Sequence, residues 1–347
     1  MGGTALRVAL VGCGRISRNH FDAIASTPGI ELTAVCDLVP ERADAAARLL
    51  GVRAFYSYED MLRDAECDIV SVTTPSGLHP TQAMMAARAG KHVISEKPMA
   101  LSLSAADEML QVSANAGVRL FVVMQNRLNP AIQLLRRAID KGRFGRIYTL
   151  NATVRWTRPQ EYYDQAAWRG TWALDGGAIM NQASHYVDLL QWLGGPVESV
   201  LAYTATLARK IEAEDTGVAV MKYRSGALGV LEVTMLSHPR NLEGSVTILG
   251  ENGTVKIGGT SVNRVEHWEF ADYDDDDKGV ESAATSPTSV YGFGHLGYYR
   301  NVVAALEGGT PPDTDGLSGR ASLELILATY ESSRTSRQVV LPLRSGN

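Results

Sequence analysis

The sequence predicts an α/β domain with a parallel, doubly wound sheet, followed by an α+β domain with a large, mostly antiparallel open sheet. Three observations lead there. Short apolar runs alternate with helical patterns through the first 125 residues, a glycine-containing turn joins the first run to the first helix, and beyond residue 147 the chain changes to long alternating strands. Strands alternating with helices mean βαβ units and a sheet covered on both faces. Strands of period two joined by tight turns mean an antiparallel sheet with one face uncovered, exposed or used for self-association.

The elements follow in order. RVALV (7–11) is a buried strand, and a helix covers 15–26. ELTAVCD (31–37) is the second strand and ERADAAARLL (41–50) a helix. DIVSVTT (68–74) and HVISE (92–96) are strands, with TQAMMAARAG (81–90) the helix between them. LSAADEMLQVSANAG (103–117) is a helix ending at glycine, and RLFVVMQ (119–125) closes the set. A helix after Pro130 is followed by the strand IYTLNATVRWT (147–157). Further strands are expected at 198–207, 216–223, 227–236, 242–249 and 253–258, with hairpin turns at Arg224–Gly226 and Glu251–Gly253. Residues 295–307 and 318–336 return to helix. The domain boundary is placed between residues 127 and 128. ADYDDDDKG (271–279) reads as an acidic surface loop.

Composition bounds the function. The chain has 347 residues, 45% hydrophobic and 20% charged, as expected of a soluble globular protein. No apolar run reaches the length of a membrane span, and the N-terminus does not read as a secretory signal. Cys13, Cys36 and Cys67 are odd in number without CxxC spacing, which suits reduced thiols in a cytoplasm. A net charge of −5 argues against nucleic acid as the main partner. Between Arg127 and Arg169, however, eight Arg and one Lys face two Asp and one Glu. Such a stretch suits an anionic small molecule. Arg136, Arg137, Arg143 and Arg146 lie on an amphipathic helix and its exit turn and read as solvated surface. Arg127, Arg155, Arg158 and Arg169 remain as candidate anion ligands, since guanidinium binds carboxylate and phosphate bidentately. Trp156, Tyr162, Tyr163 and Trp168 are interleaved with them and can stack on a base or sugar or belong to the core.

VGCGRIS (11–17) carries the nucleotide signal: Gly12 permits the tight turn, Gly14 the close approach of phosphate, and Arg15 and Ile16 open the helix. Ser17 stands where a third Gly or Ala is usual. A helix N-terminus offers unpaired N–H groups to a pyrophosphate. Asp37, about 20 residues on, ends the second strand and suits the ribose hydroxyls of NAD while repelling the extra phosphate of NADP. The first domain is therefore a Rossmann domain. Thr74, Pro75 and His79 in TTPSGLHP lie at the edge where such sheets bind ligands, and His79 either packs near the cofactor or caps the next helix.

In SEKPM (95–99), Lys97 follows Glu96 at the same carboxyl edge, and Pro98 imposes an extended or turn geometry. A lysine so held can orient a hydroxyl or take its proton. LDGGAIMNQASHYVD (174–188) puts Asn181, His185 and Asp188 on one face of an otherwise apolar helix, and Gly176 and Gly177 allow close approach at its start. That polar stripe either pairs internally or lines a cleft in which His185 is a general base. No residues have the spacing of a metal site, and hydride transfer to a cofactor needs none.

GCGRIS, Asp37, SEKP and the Gly-Gly…Asn181…His185 segment together resemble the Gfo/Idh/MocA oxidoreductases, over essentially the whole chain. The family often has Asp where this chain has Asn181, which leaves Asn181 as a neutral hydroxyl or carboxylate ligand. VRWTRPQEYYD, AWRG, TATLARKIEAEDTGVA, NLEGSVTILG and SVYGFGH resemble the branch that oxidises the 3-hydroxyl of UDP-N-acetylglucosaminuronic acid for surface-polysaccharide biosynthesis. The resemblance implies a cytoplasmic NAD enzyme, a UDP-sugar uronate substrate and a homo-oligomer, a tetramer rather than a dimer. It assigns catalysis to Lys97 and His185, with their roles exchangeable. Gln125 joins the cofactor ligands, and Asn126 and Tyr291 the substrate ligands. Relatives either reoxidise the bound cofactor with 2-oxoglutarate or release it. The rival readings are another sugar or inositol dehydrogenase of the family, or a cofactor-binding regulator without turnover.

Overall fold

The computed structural model describes residues 5–285, 294–309 and 311–343. Contacts divide the chain into two units, one of residues up to 124 plus 295–320, the other of 125–294 plus 321 onward. The sequence alone suggested one cut after residue 127. In the fold, residues 295–320 belong with the first unit because Tyr298, Tyr299, Val302 and Val303 are buried with Val8, Ile24, Ile69, Ile94 and Phe121 in one cluster.

The first unit holds six parallel strands: β1 (Leu6–Val11), β2 (Ile30–Cys36), β3 (Arg53–Phe55), β4 (Ile69–Val72), β5 (His92–Ser95) and β6 (Leu120–Val122). Their order is β3-β2-β1-β4-β5-β6, so the direction of winding reverses between β1 and β4. Ligands of such sheets bind at that reversal. The strands are apolar on both faces because helices cover both; Val8, Ala9, Leu10, Ile69, Val70 and Val72 are all fully buried. Local chemistry sets the helix limits. Ser57 and Ser102 accept the N–H of Asp60 and Ala105 at the starts of Tyr58–Asp64 and Leu103–Asn115, while Gly51, left-handed at φ 69°, ends Pro40–Leu50.

The second unit is an eight-stranded sheet of β7 (Ile147–Arg155), β8 (Val197–Ala205), β9 (Thr216–Tyr223), β10 (Leu228–Thr234), β11 (Glu243–Gly250), β12 (Gly253–Gly258), β13 (Arg264–Phe270) and β14 (Val339–Val340). The order is β13-β12-β11-β7-β10-β9-β8-β14; β7 and β10 run parallel and every other pair antiparallel. Alternation decides the faces. Leu150, Ala152, Val154, Ala219, Met221, Leu231 and Val233 are buried on the side covered by helix Ser184–Gly194. Tyr203, Val218, Val220, Leu228 and Val230 stand exposed on the other.

The acidic stretch is a capped turn, not a free loop. Asp274 caps Asp275–Gly279, and Asp274, Asp276 and Asp277 pair with Arg137, Lys141 and Arg143 of the basic helix and its exit turn. Much of the positive charge of residues 127–169 is thus neutralised on folding. Among the described residues no helix is long and apolar enough to cross a membrane.

Candidate active site

The residues expected to hold the cofactor gather at the β1/β4 reversal of the first unit. Gly12 is left-handed at φ 98°, and a Cβ there would come within 2.8 Å of the Thr73 backbone. Thr73 closes the junction by donating its hydroxyl to the carbonyls of Val11 (2.9 Å) and Gly12 (2.7 Å). At Gly14 a Cβ would meet nothing within 4 Å, so the loop is open to a ligand on that side. Gly14 and Arg15 are exposed, and Ile16 leads into helix Ser17–Ala25, whose N-terminus has no side-chain cap. A helix N-terminus that opens on a glycine turn fits a pyrophosphate. Asp37 accepts the N–H of Cys13 (2.8 Å) and of Val39 (2.9 Å), so it ties the glycine loop to the end of β2.

Two predicted residues have a bracing role. The ring nitrogens of His79, which is buried, lie 2.8 Å from the carbonyl oxygens of Thr74 and of Pro98. His79 therefore links the TTPSG loop to the segment carrying Lys97 and does not reach outward. Thr74 donates to Gln82, and Pro75 precedes the short turn Ser76–Leu78. Burial lowers the pKa of His79, against the pull of those two carbonyls. Glu96 is also buried. It accepts the N–H of Lys97 through Oε2 (3.0 Å), and its Oε1 lies 3.0 Å from His20 Nε2. Burial alone would raise the carboxyl, but the His20 hydrogen bond and charge, with Lys97 nearby, bring it down to about 2. The Lys97–Pro98 peptide is cis.

The sequence showed no metal-type cluster. Folding nevertheless gathers His20, Glu96 and His295, with one ligand atom of each within 4.8 Å of the others. The separations, 76 residues between His20 and Glu96 and more to His295, hide the group from any spacing rule. Here His20 bridges Glu96 and the Tyr299 hydroxyl (2.7 Å), so the cluster underpins the Lys97 segment.

The residues expected to meet the substrate lie mostly in the second unit. The expected continuous helix is broken: Ala178–Gln182 is a π turn, and the α-helix begins only at Ser184. The break therefore separates Asn181, in the π turn, from His185 and Asp188, which share the α-helix. Asn181 Nδ2 donates to Asp175, which is itself buried and accepts the N–H of Gly170 (2.6 Å). His185 is buried in the first turn of the helix. Asp188 takes the bland alternative, internal pairing. It accepts Arg127 Nε at 2.7 Å and Nη2 at 2.5 Å, and the Ser322 hydroxyl at 2.6 Å.

That pair corrects the expectation for Arg127, which is buried, committed to Asp188, and set 5.1 Å over the Trp192 ring. Arg155 is corrected as well. It alternates with buried Val154 onto the other face of the sheet, where it pairs with Glu232 (2.6 Å) and Glu243 (3.1 Å). Arg158 and Arg169 have no carboxylate partner among the described residues. Both guanidiniums lie over the ring of Tyr162, at 5.4 and 4.1 Å. Gln182 of the π turn accepts Arg158 Nε (2.9 Å) and donates to the Tyr162 hydroxyl (3.1 Å). Arg169 Nε is buried without a hydrogen-bond partner among the described residues. Trp168 is half-buried, 5.4 Å from the Arg169 guanidinium.

Tyr162, then, is the aromatic that the two arginines frame. The predicted Tyr163 is buried edge-on to it and lies where a Cβ at Gly170 would touch, so it is a packing residue. Trp156 is likewise buried, donating to the Thr260 carbonyl. Choosing between adjacent tyrosines needs the direction of the chain at Gln160–Asp164, a short helix that sequence pattern did not show. Gln125 and Asn126 are buried, and their side-chain carbonyl oxygens are unpaired among the described residues. Tyr291 lies outside the described residues.

A glycine loop on a helix N-terminus, an acid at the end of β2 and a lysine on the same sheet edge define an NAD-dependent oxidoreductase. The chain belongs to the Gfo/Idh/MocA family: residues 6–124 match the oxidoreductase family's NAD-binding Rossmann fold and residues 132–256 the GFO/IDH/MocA C-terminal domain. It is similar to the WlbA dehydrogenase from Bordetella pertussis, solved in complex with NADH and UDP-GlcNAcA: identity 55%, TM-score 0.96, covering 99% of this chain and 100% of that one. The WlbA dehydrogenase from Chromobacterium violaceum, solved with the same two molecules, is 54% identical with TM-score 0.94, covering 99% and 98%. The D-apiose dehydrogenase of Paraburkholderia graminis is 28% identical over 96% of this chain and 89% of its own. The chain is thus an NAD-dependent sugar dehydrogenase.

Proposed function

We propose that the protein oxidises the 3-hydroxyl of UDP-N-acetylglucosaminuronic acid to the 3-keto sugar. The observation that carries this reading is the pair Arg158 and Arg169 about Tyr162, cations without a carboxylate partner among the described residues, where the other local arginines are mostly paired. Guanidinium suits both the pyrophosphate and the uronate, and a phenol ring suits a base or sugar face. The similarity to the two WlbA dehydrogenases supports the same substrate.

NAD⁺ held at the Gly12–Gly14 loop and Asp37 would supply the hydride acceptor for the carbon that bears the hydroxyl. His185 takes the hydroxyl proton, and Lys97 donates a hydrogen bond to the oxygen as its charge develops. Asn181, held by Asp175, is a neutral ligand to a neighbouring hydroxyl. Glu96 holds the Lys97 backbone, and His79 holds the loop after it.

The test is absorbance of reduced nicotinamide on mixing protein and NAD⁺ with UDP-N-acetylglucosaminuronic acid, UDP-N-acetylglucosamine or myo-inositol, each with and without 2-oxoglutarate. Reduction confined to the uronate is expected. Turnover of inositol or the neutral sugar nucleotide instead would move the protein to another branch of the family. His185→Asn is expected to lose about 10²–10⁴ in kcat; a variant that keeps most of its turnover would remove His185 as the base. Arg169→Met is expected to raise KM for the uronate about tenfold or more.

A further inference from the structure

Glu214 is a buried acid of the second unit that makes no ion pair among the described residues and touches the segment carrying Asn181. It precedes β9 and lies against the π turn. Its Oε1 accepts the N–H of Ile179 (2.8 Å) and the hydroxyl of Tyr330 (2.8 Å). The Tyr330 oxygen in turn accepts the N–H of Met180 (3.0 Å), and the Glu214 carbonyl accepts the N–H of Ala178 (2.9 Å). The first three amides of the turn, which have no partner within it, all end on Glu214 or Tyr330. The side chain occupies the space beside Gly177: a Cβ there would overlap the Glu214 carboxyl. Oε2 is buried with no hydrogen-bond partner among the described residues. A π turn needs such outside support, because its wide ring is less stable than an α turn.

We infer that Glu214, acting through Tyr330 and the amides of Ala178–Met180, is a positioning residue that fixes the π turn and so sets Asn181, Gln182 and the start of the His185 helix. This rests on the reading of His185 and Asn181 as substrate-facing residues. The chain of contact is short. Asn181 follows Met180 directly, Gln182 holds Arg158 and Tyr162, and His185 begins the next helical turn. Burial, with Asp175 near, pushes the carboxyl up to about 7, against the hydrogen bonds from Ile179 and Tyr330. A neutral side chain of the same shape is therefore an adequate substitute.

The test uses the full chain and whichever of the three sugars the wild type oxidises, so that a wrong substrate does not bear on it. kcat and KM are measured for Glu214→Gln, Glu214→Ala, Gly177→Ala, the double variant Gly177→Ala/Glu214→Ala, and Tyr330→Phe. Active protein is counted by NADH binding stoichiometry, a property of the other unit. Glu214→Gln keeps at least about a third of kcat. Glu214→Ala loses about 10- to 100-fold in kcat per NADH site, the scale of a misplacement of about 1 Å. Gly177→Ala loses a similar factor, and the double variant loses no more than the worse single one, because both perturb one contact. Tyr330→Phe, the mildest change, loses several-fold. The inference is overturned if Glu214→Ala and Tyr330→Phe keep kcat within twofold, if the losses of Glu214→Ala and Gly177→Ala multiply, or if kcat per NADH site is unchanged while only the number of sites falls.

Discussion

Replacing Arg127 by methionine removes the cation from a pair whose side chains are 5% and 1% exposed. Asp188 would keep only the Ser322 hydroxyl, at 2.6 Å, of its three charge-assisted hydrogen bonds. A carboxylate stranded in that setting costs about 3–5 kcal/mol. Methionine retains much of the apolar contact with the Trp192 ring, so little of the loss comes from packing. Asp188→Asn strands the guanidinium and costs a similar amount. Replacing both partners, as Arg127→Met with Asp188→Leu, removes both buried charges and is expected to return to within about 2 kcal/mol of the parent. Urea unfolding followed by tryptophan fluorescence measures this directly: with a slope of about 1–3 kcal/mol per molar, the single variants shift the midpoint by at least about 1 M. Steady-state kinetics on the same samples separates the two roles open to Arg127. A substrate ligand would raise KM and leave the midpoint alone. That result, or a double variant whose loss is the sum of the single losses, would refute the assignment of Arg127 to the core.

The raised carboxyl of Glu214 makes stability pH-dependent. The native state holds its proton up to about pH 7 while the unfolded chain releases it near 4.5, so the contribution is present below 4.5 and falls by about 3 kcal/mol as pH rises to 7. Glu214→Gln should flatten that slope in urea midpoints taken across the window; an unchanged slope would mean that the carboxyl titrates normally. Glu96 acts in the opposite sense, since its carboxyl is held at about 2: its contribution is full above 4.5 and is lost as pH falls towards 2. Asp37→Ser should move the ratio of NADP to NAD turnover towards NADP by about tenfold, because a phosphate near the carboxylate is repelled by about 1 kcal/mol or more; equal ratios would leave Asp37 only its bonds to the Cys13 and Val39 amides. We also propose that the open sheet face joins copies of the chain, since Tyr203, Val218, Val220 and Leu228 are 70%, 45%, 50% and 58% exposed there. Val218→Glu with Val220→Glu should then lower the mass found by light scattering, and a mass unchanged from the parent would count against that face.

What the sequence disclosed and what it withheld divide by range of interaction. The glycine loop, Asp37 and the Glu96–Lys97–Pro98 turn are local devices. Each needs only its own strand end and the helix or turn that follows, and hydrophobic period supplies those. Strands β8 to β12 were legible for the same reason, since one face of each is buried and the alternation survives. β13 was missed because RVEHWEF lies at the sheet edge, where both faces tolerate charge and no clean period remains. The charges themselves were the hardest to read. Eight arginines in one stretch look like an anion site, yet Arg127, Arg137, Arg143 and Arg155 find acids 61 to 139 residues away, and no spacing rule connects them. Charge excess in a sequence window is therefore an upper bound on free charge, and subtraction after folding leaves the arginines that can meet a ligand. The π turn follows the same logic. Nothing in AIMNQ forbids an α-helix, and what selects the wider turn is a set of acceptors on Glu214 and Tyr330, from β9's approach and the last long helix. The polar stripe was correctly seen as needing partners, but only the fold divides it: Asp188 to the core, Asn181 to Asp175, and His185 left at the junction between two kinds of helix.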